Sequence, residues 1–109
     1  MSYVYVAKTS DLRNNEMKKF EIDDKEILIS NIDEVYYAIS NKCPHMGGSL
    51  SEGNLSAGVI TCPKHGAQFD AKTGENVGEA KIVFLKIKVK DDRSYPVKIE
   101  GNDILVDLG

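Results

Sequence analysis

Long apolar runs, excess positive charge and cysteine are all scarce in this chain of 109 residues, and each scarcity excludes something. The longest apolar stretches, such as Ile82-Val83-Phe84-Leu85, are far too short to span a bilayer. The N-terminus lacks a basic segment followed by an apolar signal core, so a cytoplasmic protein without a membrane segment is expected. The formal net charge of −3 argues against nucleic acid as a partner, because phosphate binding rests on clustered Lys and Arg. Lys86, Lys88 and Lys90 alternate along one segment, which reads as the solvated face of a strand rather than a binding patch. No nucleophile motif, phosphate loop or substrate-pocket signature is present. Two cysteines permit at most one disulfide, and a histidine two or three residues from each makes a disulfide the weaker reading.

What is present describes one globular domain over residues 1–109, with 41% hydrophobic and 28% charged residues. Strand signals recur along it and no long helical period does. Tyr3-Val4-Tyr5-Val6 reads as a strand whose tyrosines pack across a sheet, and Thr9 to Leu12 as a short helical turn. Met17 to Ile22 and Glu26 to Ser30 form a hairpin about Asp23-Asp24, with Ile27 and Ile29 on one face and Leu28 on the other. Val35 to Ile39 is a strand aimed at Cys43; a turn-rich loop covers Gly47 to Asn54, and Gly58 to Thr61 is a short strand into Cys62. Beyond it, Phe69 is a core anchor and Lys72-Thr73-Gly74 a turn. Strict alternation of Val83, Leu85, Ile87 and Val89 with the lysines predicts one half-buried strand, and Asp91-Asp92 a solvated turn. Val97 and Ile99 alternate with Lys98 and Glu100, and Gly101-Asn102 closes a hairpin onto Ile104 to Val106. Eight or nine short strands without a long helix predict an all-β fold, a small antiparallel sandwich or barrel.

Both cysteines and both histidines lie in one stretch, as Cys43-Pro44-His45 and Cys62-Pro63-Lys64-His65. Two thiolates and two imidazoles suit tetrahedral zinc or an iron–sulfur cluster, so residue types leave both open. Zinc fingers commonly segregate the ligand types, whereas each loop here offers one of each. That arrangement suits a binuclear centre spanned by both loops. Pro44 and Pro63 would stiffen the loops, Gly47, Gly48 and Gly66 would permit tight turns, and Met46 and Leu50 would serve as apolar cover or partner contacts.

The stretch Cys-Pro-His-Met-Gly-Gly-Ser-Leu at 43–50, Cys-Pro-Lys-His-Gly at 62–66, and Gln68-Phe69-Asp70 followed by Thr73-Gly74-Glu75 resembles the Rieske family, in which two histidines replace two cysteines on one iron of a [2Fe–2S] cluster. Strands before the loops, and Tyr95-Pro96-Val97 with the final hairpin after them, extend the likeness to small Rieske-type ferredoxins over nearly the whole length. The resemblance implies a two-loop cluster-binding subdomain at 43–50 and 62–67 holding one cluster per chain. Cys43 and Cys62 would bind one iron, and His45 and His65 the other, which would accept the electron.

Departures from the family pattern refine that reading. High-potential members carry an extra cysteine in each loop, where this chain has Gly48 and Lys64, and a serine and a tyrosine near the cluster, where it has Ala67 and Phe69. Without the disulfide brace and with fewer hydrogen-bond donors, the potential is expected near the low end of the range, roughly −150 mV. Glu79-Ala80-Lys81 stands where many relatives have a proline-containing covering loop. The function implied is a soluble, monomeric one-electron carrier, not an enzyme itself. It would pass electrons from a flavoprotein or other ferredoxin reductase to a terminal oxygenase or similar acceptor. Two other readings are a small subunit of a nitrite reductase-like complex and, from a different class, a structural zinc module that binds a partner.

Overall fold

A computed structural model describes residues 3–42, 48–63, 66–78, 80–82, 85–87 and 92–108. Its organising element is the segment Lys25–Ile32, whose residues from Ile27 onward are all buried. A strand with one wet face alternates apolar and polar residues. This one, Lys-Glu-Ile-Leu-Ile-Ser-Asn-Ile, does not, because it is covered on both sides.

In chain order the strands are β1 (Tyr3–Lys8), β2 (Glu16–Ile22), β3 (Lys25–Ile32), β4 (Val35–Ser40), β5 (Asn54–Ser56), β6 (Val59–Thr61), β7 (Gln68–Asp70), β8 (Asn76–Gly78), β9 (Ala80–Ile82), β10 (Leu85–Ile87), β11 (Ser94–Tyr95), β12 (Val97–Glu100) and β13 (Asp103–Asp107). Short 3-10 turns occupy Thr9–Asp11 and Leu50–Glu52, and there is no α-helix among the described residues. The strands are shorter and more numerous than the eight or nine expected. Every strand pair among the described residues is antiparallel.

Three sheets stack with β3 in the middle layer. The central sheet runs β11-β4-β3-β2, a second runs β1-β13-β12, and a third runs β5-β6-β7-β8. Ile27 and Ile29 face one way, into a core with Ala7, Leu12, Ala38, Ile104 and Val106, which joins the central sheet to the second. Leu28, with Ile32 and Ile39, faces the other way, onto Leu50, Ile60, Cys62, Ala67, Phe69 and Ala71. The expected facing of Ile27 and Ile29 against Leu28 is therefore the division between the two cores.

Tight turns fix the register. Ile22 pairs with Lys25 and Ile32 with Val35, leaving two-residue turns at Asp23-Asp24 and Asp33-Glu34. All four of those residues have positive φ, the backbone twist that matches a two-residue hairpin. Ala57-Gly58 turns β5 into β6 in the same way.

Several expectations are corrected. Asn54 begins β5 rather than prolonging a loop, because Leu55 pairs with Ile60 and packs on the core. Of the strand expected from Val83 to Val89, the described part is β10, Leu85–Ile87, which pairs with a short strand just before it, β9, that was not expected; Val83, Phe84 and residues 88–91 lie outside the described residues. Tyr3 and Tyr5 are exposed on the outer face of β1, 41% and 54%, and Lys98 sits over the Tyr3 ring. Ile99, on the edge strand β12, is 43% exposed, whereas Val97 two residues before it packs on the core. Asp92 is not solvated: it is 8% exposed, and its N–H donates to the Gly74 carbonyl at 2.6 Å.

Candidate metal centre

Two loops leave the third sheet and the end of β4, and each is drawn closed at its base. After β4, Lys42 and Ser49 form an isolated antiparallel bridge, so the intervening residues make a loop whose ends are held together. Of that loop Gly48 is buried, while Cys43, Pro44, His45, Met46 and Gly47 lie outside the described residues. Thr61 pairs with Gln68, and the Cys62 N–H donates to the Ala67 carbonyl at 2.7 Å, which makes 62–67 the hairpin loop between β6 and β7. Lys64 and His65 lie outside the described residues. Gly66 takes φ +72°, a left-handed conformation that side chains disfavour, in keeping with the freedom expected of it.

The bases of the loops meet on a common apolar floor. Leu50, which directly follows the first loop, shares its core with Cys62 and Ala67, the two ends of the second. Phe69 and Leu28 complete that floor, and all five are at most 1% exposed. Burying Phe69 alone contributes about 2–3 kcal/mol. Closer still, Gly53 lies so tightly against the backbone of Thr61 that a Cβ at position 53 would collide with the Thr61 carbonyl oxygen. By sequence, Gly53 belongs to a generic turn. Its role is to let the chain leaving the first loop touch the strand entering Cys62, and only the three-dimensional approach reveals it.

Asn41 is a further residue that sequence reasoning misses. It is fully buried at the end of β4, and its carboxamide makes three hydrogen bonds, to Glu26, Ser49 and Ser51. A polar residue two positions before Cys43 carries no distinctive signal in the sequence.

Residue chemistry at this floor fits a sulfur-ligated cluster. The Cys62 side chain is 1% exposed at the base of a loop, where a soft donor is shielded from water and oxidant. Ala67 and Phe69 are fully buried and present no side-chain donor. Leu50 is apolar cover, as expected.

This is a nearly all-β domain that buries the Cys62 thiol at the base of the second loop, and its sequence carries one Cys/His pair at 43–45 and another at 62–65. The chain belongs to the Rieske family: the model of the Rieske [2Fe-2S] domain matches residues 2–83. The ferredoxin component of biphenyl 2,3-dioxygenase from Rhodococcus jostii (strain RHA1) is 34% identical over 108 residues, covering 99% of this chain and 94% of that protein. The ferredoxin subunit of 3-phenylpropionate/cinnamic acid dioxygenase from Shigella flexneri serotype 5b is 33% identical, covering 99% of this chain and 95% of that one. Among solved structures, the ferredoxin of carbazole 1,9a-dioxygenase from Nocardioides aromaticivorans IC177 superposes with a TM-score of 0.81 at 30% identity, covering 97% of each chain. The cofactor is accordingly a Rieske [2Fe–2S] cluster, and the protein is a ferredoxin-type electron carrier rather than an enzyme. No helix among the described residues is long and apolar enough to cross a membrane.

Proposed function

We propose that this chain takes one electron from a reductase, a flavoprotein or other ferredoxin reductase, and delivers it to a terminal oxygenase. Cys43 and Cys62 hold one iron through sulfur, and His45 and His65 hold the other through ring nitrogen. One cluster sits on the loops 43–50 and 62–67 of a single domain spanning 1–109, and the protein works as a cytoplasmic monomer. The observation that carries this is the meeting of the two loop bases on one floor of Leu50, Cys62, Ala67 and Phe69. The names of its relatives, ferredoxin components of dioxygenases, support the choice of acceptor.

Bound there, the cluster supplies a one-electron couple at a potential set by its ligands and their hydrogen bonds. The chain's own residues do the rest. The floor keeps water from the Cys62 side, and the Lys42–Ser49 bridge and the Cys62–Ala67 hydrogen bond pin the loop bases, which keeps the structural cost of changing charge small. Ala67 and Phe69 withhold hydroxyl donors that would stabilise the more negative reduced state, so the midpoint belongs at roughly −150 mV.

Optical and EPR spectra of the purified protein before and after dithionite test the reading. A coloured protein whose reduced form has the EPR signature of a histidine-ligated cluster is expected. A colourless protein carrying stoichiometric zinc would overturn it, and a redox titration with a midpoint well above zero would remove the low-potential assignment.

A further inference from the structure

Two asparagines among the described residues are fully buried, and they do different things. Asn31, in β3, donates through Nδ2 to the Leu12 carbonyl at 3.2 Å and to the Tyr36 hydroxyl at 3.4 Å, and accepts from the Glu34 N–H at 2.9 Å. All its partners lie at the far end of the sheet, away from the loops. Asn41 serves the first loop. Its Nδ2 donates to Glu26 Oε1 at 3.0 Å and to Ser49 Oγ at 2.9 Å, while Oδ1 accepts the Ser51 N–H at 2.8 Å. Its backbone binds in both directions as well, N–H to the Glu26 carbonyl at 2.9 Å and carbonyl from the Leu50 N–H at 2.9 Å.

We infer that Asn41 is a positioning residue for the cluster: one side chain ties the residues leaving the loop, Ser49 and Ser51, to the residue entering it and to Glu26 on β3. The inference rests on the proposed reading that Cys43 and His45 are ligands. Both lie between Lys42 and Ser49, so any slip of Ser49 to Ser51 against β3 changes the span across which those two residues must reach. The bonds form a closed set. Ser49 Oγ accepts from Asn41 and lies 2.9 Å from Ser51 Oγ, a hydroxyl pair in which either oxygen can donate. A buried carboxamide whose donors and acceptor are all used tolerates no rotation without leaving a polar group unpaired. Burial makes the arrangement stiff, and its partners make it local to the loop.

The test compares Asn41→Ala with Asn31→Ala, a loss of equivalent hydrogen bonds elsewhere in the fold. Both are expected to lower the unfolding midpoint of the loaded protein. Only Asn41→Ala should also move the EPR g values and the redox midpoint, and speed cluster release into a chelator by about tenfold or more, the consequence of leaving buried groups unpaired near the loop. A second pair removes dependence on the folding of the alanine variant. Asn41→Asp places a carboxylate oxygen against the Glu26 carboxylate, and adding Glu26→Gln restores a donor–acceptor pair there. The double variant should recover g values, midpoint and release rate lost in Asn41→Asp. Equal effects of Asn31→Ala and Asn41→Ala on the cluster signature, or no recovery in the double variant, would overturn the inference. A wild-type protein without the histidine-ligated signature would overturn the functional reading together with it, so the two failures are told apart by the wild type.

Discussion

Among the described residues, Asp92 alone buries a side-chain oxygen or nitrogen without a hydrogen-bond partner. Burial pushes its carboxyl up from 3.8 to about 7, against the partial relief of the Arg93 N–H bonded to Oδ1 at 2.9 Å. Oδ2 is buried with no hydrogen-bond partner among the described residues. An acid whose folded pKa is raised keeps its proton where the unfolded chain has already lost it. Stability therefore falls as pH rises from about 4 to about 7 and is level above that, a total of at most about 4 kcal/mol. A carboxamide in its place would stay neutral throughout. Asp92→Asn should accordingly be more stable than wild type at pH 8 by about 1–3 kcal/mol and lose that advantage near pH 4. Urea denaturation at both pH values measures this; an advantage unchanged with pH would show that the carboxyl does not titrate in this range. At the proposed ligands the same charge logic applies to the cluster. His65→Cys adds an anionic thiolate, so a variant that still loads its cluster should have a lower midpoint than wild type by redox titration, and an unchanged or higher one would contradict the charge argument.

Among elements, the loops depend on how tightly the chain segments beside them pack. Gly53 touches the Thr61 backbone, and neither partner is the flexible end of a side chain. Gly53→Ala must push β6 away from the turn at Leu50–Glu52, which should cost about 1–3 kcal/mol in thermal or chemical unfolding and speed cluster loss. A variant as stable and as retentive as wild type would mean the two segments can part freely. Further along, the strap at Asp92 and Arg93 joins layers: Asp92 N–H bonds the Gly74 carbonyl of the third sheet's turn, and the Arg93 carbonyl accepts the Ser40 N–H at 2.8 Å at the end of β4. By sequence Asp92 belongs, with Asp91, to a solvated turn, because Asp-Asp-Arg-Ser has turn composition, and Arg93 is indeed exposed. Composition reports what a segment tolerates, and the neighbouring Gly74 turn decided what covers it.

For the whole molecule, the stack of three sheets around β3 separates stability from function. Leu28 and Ile29 are adjacent and both fully buried, yet they face different cores. Leu28→Ala and Ile29→Ala should each cost about 2–5 kcal/mol in unfolding. Only Leu28→Ala opens the floor beneath Cys62, so it alone should also change the cluster's EPR signature and retention; identical spectra from both would mean the cores are not independent. Much of this was legible in the chain. The hairpins about Asp23-Asp24 and Gly101-Asn102, the opposite facing of Ile27 and Leu28, the burial of Phe69 and the concentration of Cys and His into two loops follow from local turn chemistry, strand periodicity and ligand type, which act over a few residues. Three features were decided only by tertiary structure: the contact of Gly53 with Thr61, the buried bonds of Asn41 and the covering of Asp92. Each depends on segments distant from one another in the chain, and neither spacing nor composition records which polar atom will be enclosed when the sheets close.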